Sequence, residues 1–76
     1  MALSKIDSNL LSLTTDLTMT GTTPTLTIGD AGAEDTAIVF DGNAQDFYIA
    51  LDDSADDLLI GLGSTIGTTP ALAIDE

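Results

Sequence analysis

The chain has 76 residues, which limits it to one small domain. Its 13 acidic residues and single Lys5 give a net charge of −12, which excludes nucleic-acid binding through phosphate contacts and disfavours an anionic membrane surface. The sequence contains neither Cys nor His, which excludes disulfides, Cys/His zinc sites and the nucleophilic triads that depend on these residues.

Residues 1–20 are predicted to form an N-terminal arm or attachment segment, for which two patterns compete. Apolar residues spaced 3-4-3-4 favour a short coiled-coil helix: Leu3, Ile6, Leu10, Leu13 and Leu17. The alternation of Leu with Ser or Thr in residues 11–14 and 17–20 favours a strand or an extended arm. Both alternatives stay open at this point. No apolar run approaches the roughly 20 residues of a membrane helix, and the first residues lack the apolar core of a secretory signal.

An eight-residue motif occurs twice in the chain. Residues 21–28 read GTTPTLTI and residues 67–74 read GTTPALAI, so the two copies differ only where Thr25 and Thr27 are replaced by Ala71 and Ala73. This repeated motif predicts a β-repeat unit over residues 21–66 and the start of a second repeat over residues 67–76. Proline has no amide donor, so the proline of each copy is predicted to begin a strand.

Short apolar segments follow one another between turn-forming residues. They cover residues 26–28, 37–40, 47–51 and 58–62 and the residues after Pro70, and they are separated by Gly, Asp, Asn, Ser and Thr. This pattern predicts an all-β fold of short strands with Asp/Gly turns. Period-two alternation places Phe47, Ile49 and Leu51 on one face and Tyr48 and Ala50 on the other.

Two turns stand out between these segments. Asp41-Gly42 is typical of a tight turn between the second and third segments, and residues 52–57 predict a longer turn before the fourth. Aspartates in turns are ordinarily explained by hydrogen bonds to their own backbone. A calcium site is the sharper alternative, because Ca²⁺ prefers carboxylate and carbonyl oxygens. Its candidate ligands are Asp52, Asp53, Asp56 and Asp57.

The sequence offers no catalytic or cofactor-binding constellation. Gly61-Leu62-Gly63 follows a predicted strand but lacks the further glycine or lysine of a phosphate-binding loop. A paired-carboxylate hydrolase would need a cleft that raises one pKa, which short strands rarely supply. The chain is therefore predicted to be no enzyme and to use no cofactor, calcium aside.

The composition predicts self-association. A chain of this size buries only about 60% of its unfolded surface, and this one has just three aromatic residues to fill a core. Without disulfides or a structural metal, oligomerisation is the usual remaining source of stability. We therefore expect several copies to share one core.

Three stretches resemble a known family. Residues 67–76 (GTTPALAIDE), residues 38–43 with 46–52 (IVFDGN and DFYIALD) and residues 1–7 (MALSKID) are similar to repeats in the tail-fibre and tail-spike proteins of tailed bacteriophages, especially marine and cyanobacterial ones. The resemblance implies an intertwined homotrimeric β-shaft, prism-like or solenoid-like, with a virion-structural or adhesive function. Such fibres often end in a receptor-binding or self-cleaving domain, which has no counterpart in these residues.

The resemblance and the alternation together give the leading hypothesis, a trimer whose apolar strand residues point to a shared axis. Its predicted core consists of Ile38, Phe40, Phe47, Ile49, Leu51, Leu58, Ile60 and Leu62. Expected partners are other copies and other virion proteins, and the expected location is the virion after synthesis in the host cytoplasm, or otherwise extracellular. Two alternatives are a capsid decoration (cement) or head-fibre protein that docks through residues 1–20, and a calcium-dependent bacterial adhesion repeat.

Overall fold

The computed structural model describes residues 12–76, and within them it is all-β. Four strands form one open antiparallel sheet in chain order: β1 (Thr36–Phe40), β2 (Phe47–Asp52), β3 (Asp57–Leu62) and β4 (Pro70–Asp75). The prediction of an all-β chain with short strands is confirmed. Residues 12–76 contain no helix long and apolar enough to cross a membrane.

The register aligns like residues across the sheet. Ile38 lies opposite Ile49, Ile49 opposite Ile60, and Ile60 opposite Leu72, so a row of branched aliphatic side chains crosses all four strands. Such cross-strand pairs are the main stabilising contacts of a sheet. The ladder is irregular only between β3 and β4, where Gly61 lies opposite Pro70 and Ala71 has no partner, as in a β-bulge.

One face of the sheet is covered by the chain itself, and we call it the covered face. Its buried residues are Tyr48, Ala50 and Leu59, and the side chain of Ile66 packs against them from the connection between β3 and β4. The Tyr48 hydroxyl accepts a hydrogen bond from the Gly67 amide at 3.2 Å. The alternation placed Tyr48 and Ala50 opposite the residues predicted as the core shared between copies. Their face is the interior of the single chain, because residues 63–69 fold back over it.

The connection between β1 and β2 is wider than predicted. Asp41-Gly42 does not form a two-residue turn, since Phe40 pairs with Phe47 and six residues lie between the strands. The loop is held by Asp46, whose carboxylate accepts the Gly42 amide at 3.0 Å and whose carbonyl accepts the Gly63 amide at 2.8 Å. These contacts explain why the chain does not take the tighter turn.

The longer turn between β2 and β3 is confirmed. Residues 53–56 form it, with the Asp56 amide donating to the Asp53 carbonyl at 3.3 Å. Asp56 has φ +57, a left-handed conformation that aspartate tolerates better than most residues. Asp52 and Asp57, which the sequence placed in the turn, are the terminal paired residues of the strands.

The residues before β1 contain no regular element where the structure describes them. The predicted strand at residues 26–28 is therefore wrong for the single chain, since no described strand lies beside it to complete its hydrogen bonds. Residues 12–20 of the predicted arm are neither helix nor strand. Residues 1–11 lie outside the described part, so the choice between helix and strand stays open there.

Candidate functional site: the apolar sheet face

The face opposite the covered face is apolar and bare, and we call it the apolar face. The pairing places ten large side chains on it, all exposed: Ile38, Phe40, Phe47, Ile49, Leu51, Leu58, Ile60, Leu62, Leu72 and Ile74. Their exposed fractions run from 36% to 55%. Soluble monomers rarely show so large a contiguous apolar surface, and such a patch ordinarily marks an interaction site.

The area of the apolar face is that of a stable protein interface. Ten side chains with these exposures add up to roughly 900 Å², against about 800 Å² buried by each partner in a standard interface. The alternation leaves only Thr36 as a polar strand residue within this face. Its partner is therefore expected to be apolar and to displace water, because there is no charged group to pair or solvate.

One corner of the apolar face is shielded by the chain. Ile28, together with Ile38, Ile49, Leu51 and Leu58, lines a shallow open cavity of about 170 Å³. This volume suits one large aliphatic side chain better than a small-molecule ligand, since ligand sites are typically about 300–1,000 Å³.

All eight residues predicted as the trimer core lie together on the apolar face. The alternation was sufficient to group them, although nothing in a single chain tests whether they form a core between copies. The sequence analysis missed Leu72 and Ile74, which extend the same face onto β4. The repeated motif could have revealed them, because Leu and Ile alternate with Ala after Pro70 as they do with Thr after Pro24.

In the acidic turn that was considered for calcium, the Asp52 carboxylate and the Asp53 amide make hydrogen bonds. Asp52 Oδ1 accepts the Ser54 hydroxyl at 2.9 Å, and the Asp53 amide donates to Asp35 Oδ1 at 2.8 Å. Within residues 12–76 the structure contains no group of three or more acidic side chains arranged to hold a metal ion. A calcium site at Asp52, Asp53, Asp56 and Asp57 stays a prediction.

Three carboxylates form a row across the ends of the strands on the side of the covered face. Asp57 lies opposite both Asp52 and Asp75. Its Oδ1 atom is inaccessible and has no hydrogen-bond partner among the described residues. Desolvation raises the pKa of Asp57, and the nearby charges of Asp75, Asp52 and Glu76 raise it further. The carboxylates of this row repel one another at neutral pH.

No protein-family model, curated protein or solved structure matches this chain.

Proposed function

We propose that this chain is a non-catalytic structural module of a phage virion, a homotrimeric tail-fibre or tail-spike shaft segment whose apolar face becomes the core shared between copies. The observation that carries the proposal is the bare apolar face. A sheet with one apolar face must bury it against another layer, and the described residues supply no such layer.

The choice of other copies as the covering layer follows from shape and chemistry. The face is apolar across all four strands and has no charged strand residue, so it fits a second sheet, whose packing distance of about 10 Å allows side chains to interdigitate. The Leu, Ile and Phe side chains of an identical face are suited to this role. The phage assignment rests on the sequence resemblance alone, and the self-association rests on the face.

The distribution of acidic residues agrees with a shaft. Aspartates lie at the two ends of the strands, with Asp41 and Asp46 at one end and the β2–β3 turn at the other. Copies packed through their apolar faces keep these carboxylates at the rim, where water solvates them. An interface through the acidic ends would instead bring like charges together.

The proposal is tested by the mass of the protein in solution. Analytical ultracentrifugation of the full chain is expected to give three times the mass of one chain. Ile49→Asp places a charge in the apolar face and is expected to give a monomer. Val39→Asp is the matched control, because Val39 is exposed to a similar extent on the other face. A wild-type monomer would overturn the self-association, and dissociation of both variants would show that the apolar face is not responsible.

The virion assignment needs a separate measurement. Antibodies against this chain are expected to label the tail fibres or spikes of purified phage particles in electron micrographs. Labelling of the capsid surface would favour the decoration protein instead. Failure to label any particle would overturn the virion assignment and leave the self-association untouched.

A further inference from the structure

The two copies of the eight-residue motif have different surroundings. The second copy is paired, since the Leu62 amide donates to the Thr69 carbonyl at 3.0 Å and Leu72 and Ile74 lie opposite Ile60 and Leu58. The first copy, residues 21–28, pairs with no strand among the described residues. Residues 21–28 therefore resemble a segment that forms a strand, but they are not paired with any strand within residues 12–76.

The outer edge of β4 is the better of the two described edges for such a segment. All six residues of β4 are exposed, and residues 70–74 include no charged side chain that would discourage pairing. The start of β1 is less open, because Thr36 and Ala37 are half-buried and a Cβ atom on Gly29 would lie only 3.1 Å from Thr36 Cγ2. The chain itself thus passes beside the first residue of β1.

We propose that residues 24–28 of one copy add as a fifth, antiparallel strand to the outer edge of β4 in a second copy, with Leu26 opposite Leu72. Charge selects the antiparallel direction. A parallel strand in this register would bring Asp30 beside Glu76, whereas the antiparallel strand carries Asp30 to the other end of β4, away from Asp75 and Glu76. All pairs of the existing sheet are antiparallel as well.

The added strand extends both faces of the sheet without conflict. Leu26 and Ile28 would continue the apolar face beyond Leu72, for which Ile28 has to leave the corner of its own apolar face. Thr25 and Thr27 would lie on the other side, beside the small Ala73. Main-chain hydrogen bonds would supply the affinity, as in other cases where an extended segment adds to a sheet edge.

This contact joins two different surfaces, the segment before β1 in one copy and the β4 edge in the next. Such a heterologous contact produces open rows or closed rings of copies, unlike an interface that joins a surface to itself, and a ring of three agrees with the proposed trimer. The inference deepens the proposed function and rests on it in one respect, namely that the partner is another copy of this chain. The strand contact explains why the eight-residue motif occurs twice, which the apolar face alone does not explain.

Cysteine pairs test both the contact and its direction, since the sequence has no cysteine of its own. Thr25→Cys with Ala73→Cys places two thiols directly opposite each other in the antiparallel arrangement, within the range of a disulfide. Thr27→Cys with Ala73→Cys is the matched pair for the parallel arrangement. After mild oxidation, the Thr25/Ala73 pair is expected to give a ladder of covalent oligomers in several-fold higher yield than the Thr27/Ala73 pair.

Three results would overturn the proposal. They are equal ladders from both pairs, a stronger ladder from the Thr27/Ala73 pair, and cross-links confined to single chains of monomer mass. Repeating the oxidation in the Ile49→Asp background separates this inference from the shared core. A weaker ladder is still expected there, because the strand contact does not need the centre of the apolar face and the disulfide traps it even where it is too short-lived to raise the sedimenting mass of this variant. If the wild-type protein is not a trimer but the ladder forms, the shaft proposal fails and the strand contact is supported.

Discussion

The residue that anchors the covered face is Tyr48, which is fully buried although the domain around it is thin. Its ring lies against Gly61 on the neighbouring strand, where a Cβ atom would come within 2.5 Å of the Tyr48 hydroxyl and 2.7 Å of the Thr69 carbonyl. Gly61 is therefore required for space, and its φ is not in the left-handed region. The pair links β2, β3 and the connection that covers them.

Gly61→Ala is expected to lower the free energy of unfolding by about 1–3 kcal/mol, the usual cost of overpacking. Tyr48→Phe removes the hydrogen bond from the Gly67 amide and is expected to cost about 0.5–1.5 kcal/mol. The new methyl group would also meet Tyr48 Cζ at 2.6 Å, so Gly61→Ala has to shift the ring and disturb the same hydrogen bond that Tyr48→Phe removes. The double variant should therefore be less destabilised than the two single effects added together. Urea unfolding of the four proteins measures the cycle, and simple additivity would contradict the close contact.

At the scale of elements, the carboxylate row across β2, β3 and β4 predicts an unusual dependence on pH. Burial and the charges of Asp75, Asp52 and Glu76 raise the pKa of Asp57, so the folded state holds this proton more tightly than the unfolded state. The stability linked to this proton is fully present below the unfolded pKa of about 3.9 and is lost as pH rises through the higher folded pKa.

Asp57→Asn is accordingly expected to raise the melting temperature at pH 7 and to change it little near pH 3.5. Asp56→Asn is the matched control, because Asp56 is the preceding residue and is exposed on the same turn. Thermal melts followed by circular dichroism from pH 3 to 8 measure both variants. A lower melting temperature of Asp57→Asn at pH 7 would show that the ionised carboxylate makes a favourable contact.

The strands and their two faces were predictable because side-chain direction alternates along a strand whatever its partner. Phe47, Ile49 and Leu51 follow this rule, and so do their neighbours across the sheet. Which face the chain covers was not predictable, because it depends on residues 63–69 folding back to the Tyr48 hydroxyl, a contact between residues 19 positions apart. The alternation and the resemblance assigned the apolar face to a core shared between copies, but they did not show that the single chain covers the opposite, smaller face.

The first copy of the motif shows that a strand-like local sequence is not sufficient to form a strand. Residues 26–28 have the composition of a strand and share Leu and Ile positions with β4, yet they pair with nothing among the described residues. Strand formation requires an edge to supply hydrogen bonds, and sequence cannot say which edge is free. The predicted turn at Asp41-Gly42 failed for a related reason, since Asp46 holds the wider loop through contacts to two separate segments.

At the scale of the whole molecule, the net charge of −12 opposes the association that the apolar face favours. Each added copy brings further aspartates to the strand ends, and repulsion between them acts over the Debye length of about 10 Å at 0.1 M salt. Raising NaCl from about 0.05 to 0.5 M is therefore expected to lower the dissociation constant of the oligomer by roughly tenfold, as repulsion is screened and apolar burial persists.

Sedimentation at matched ionic strength separates screening from specific ion binding. If aspartates only repel, CaCl2 at about 1 mM should act no differently from NaCl of equal ionic strength. A calcium effect that Asp53→Asn and Asp56→Asn remove would support the site predicted at the β2–β3 turn, and EDTA would reverse it. Weaker association at high salt would contradict the arrangement with carboxylates at the rim, because it would require attractive ionic contacts, for which the chain has only Lys5 as a cationic side chain.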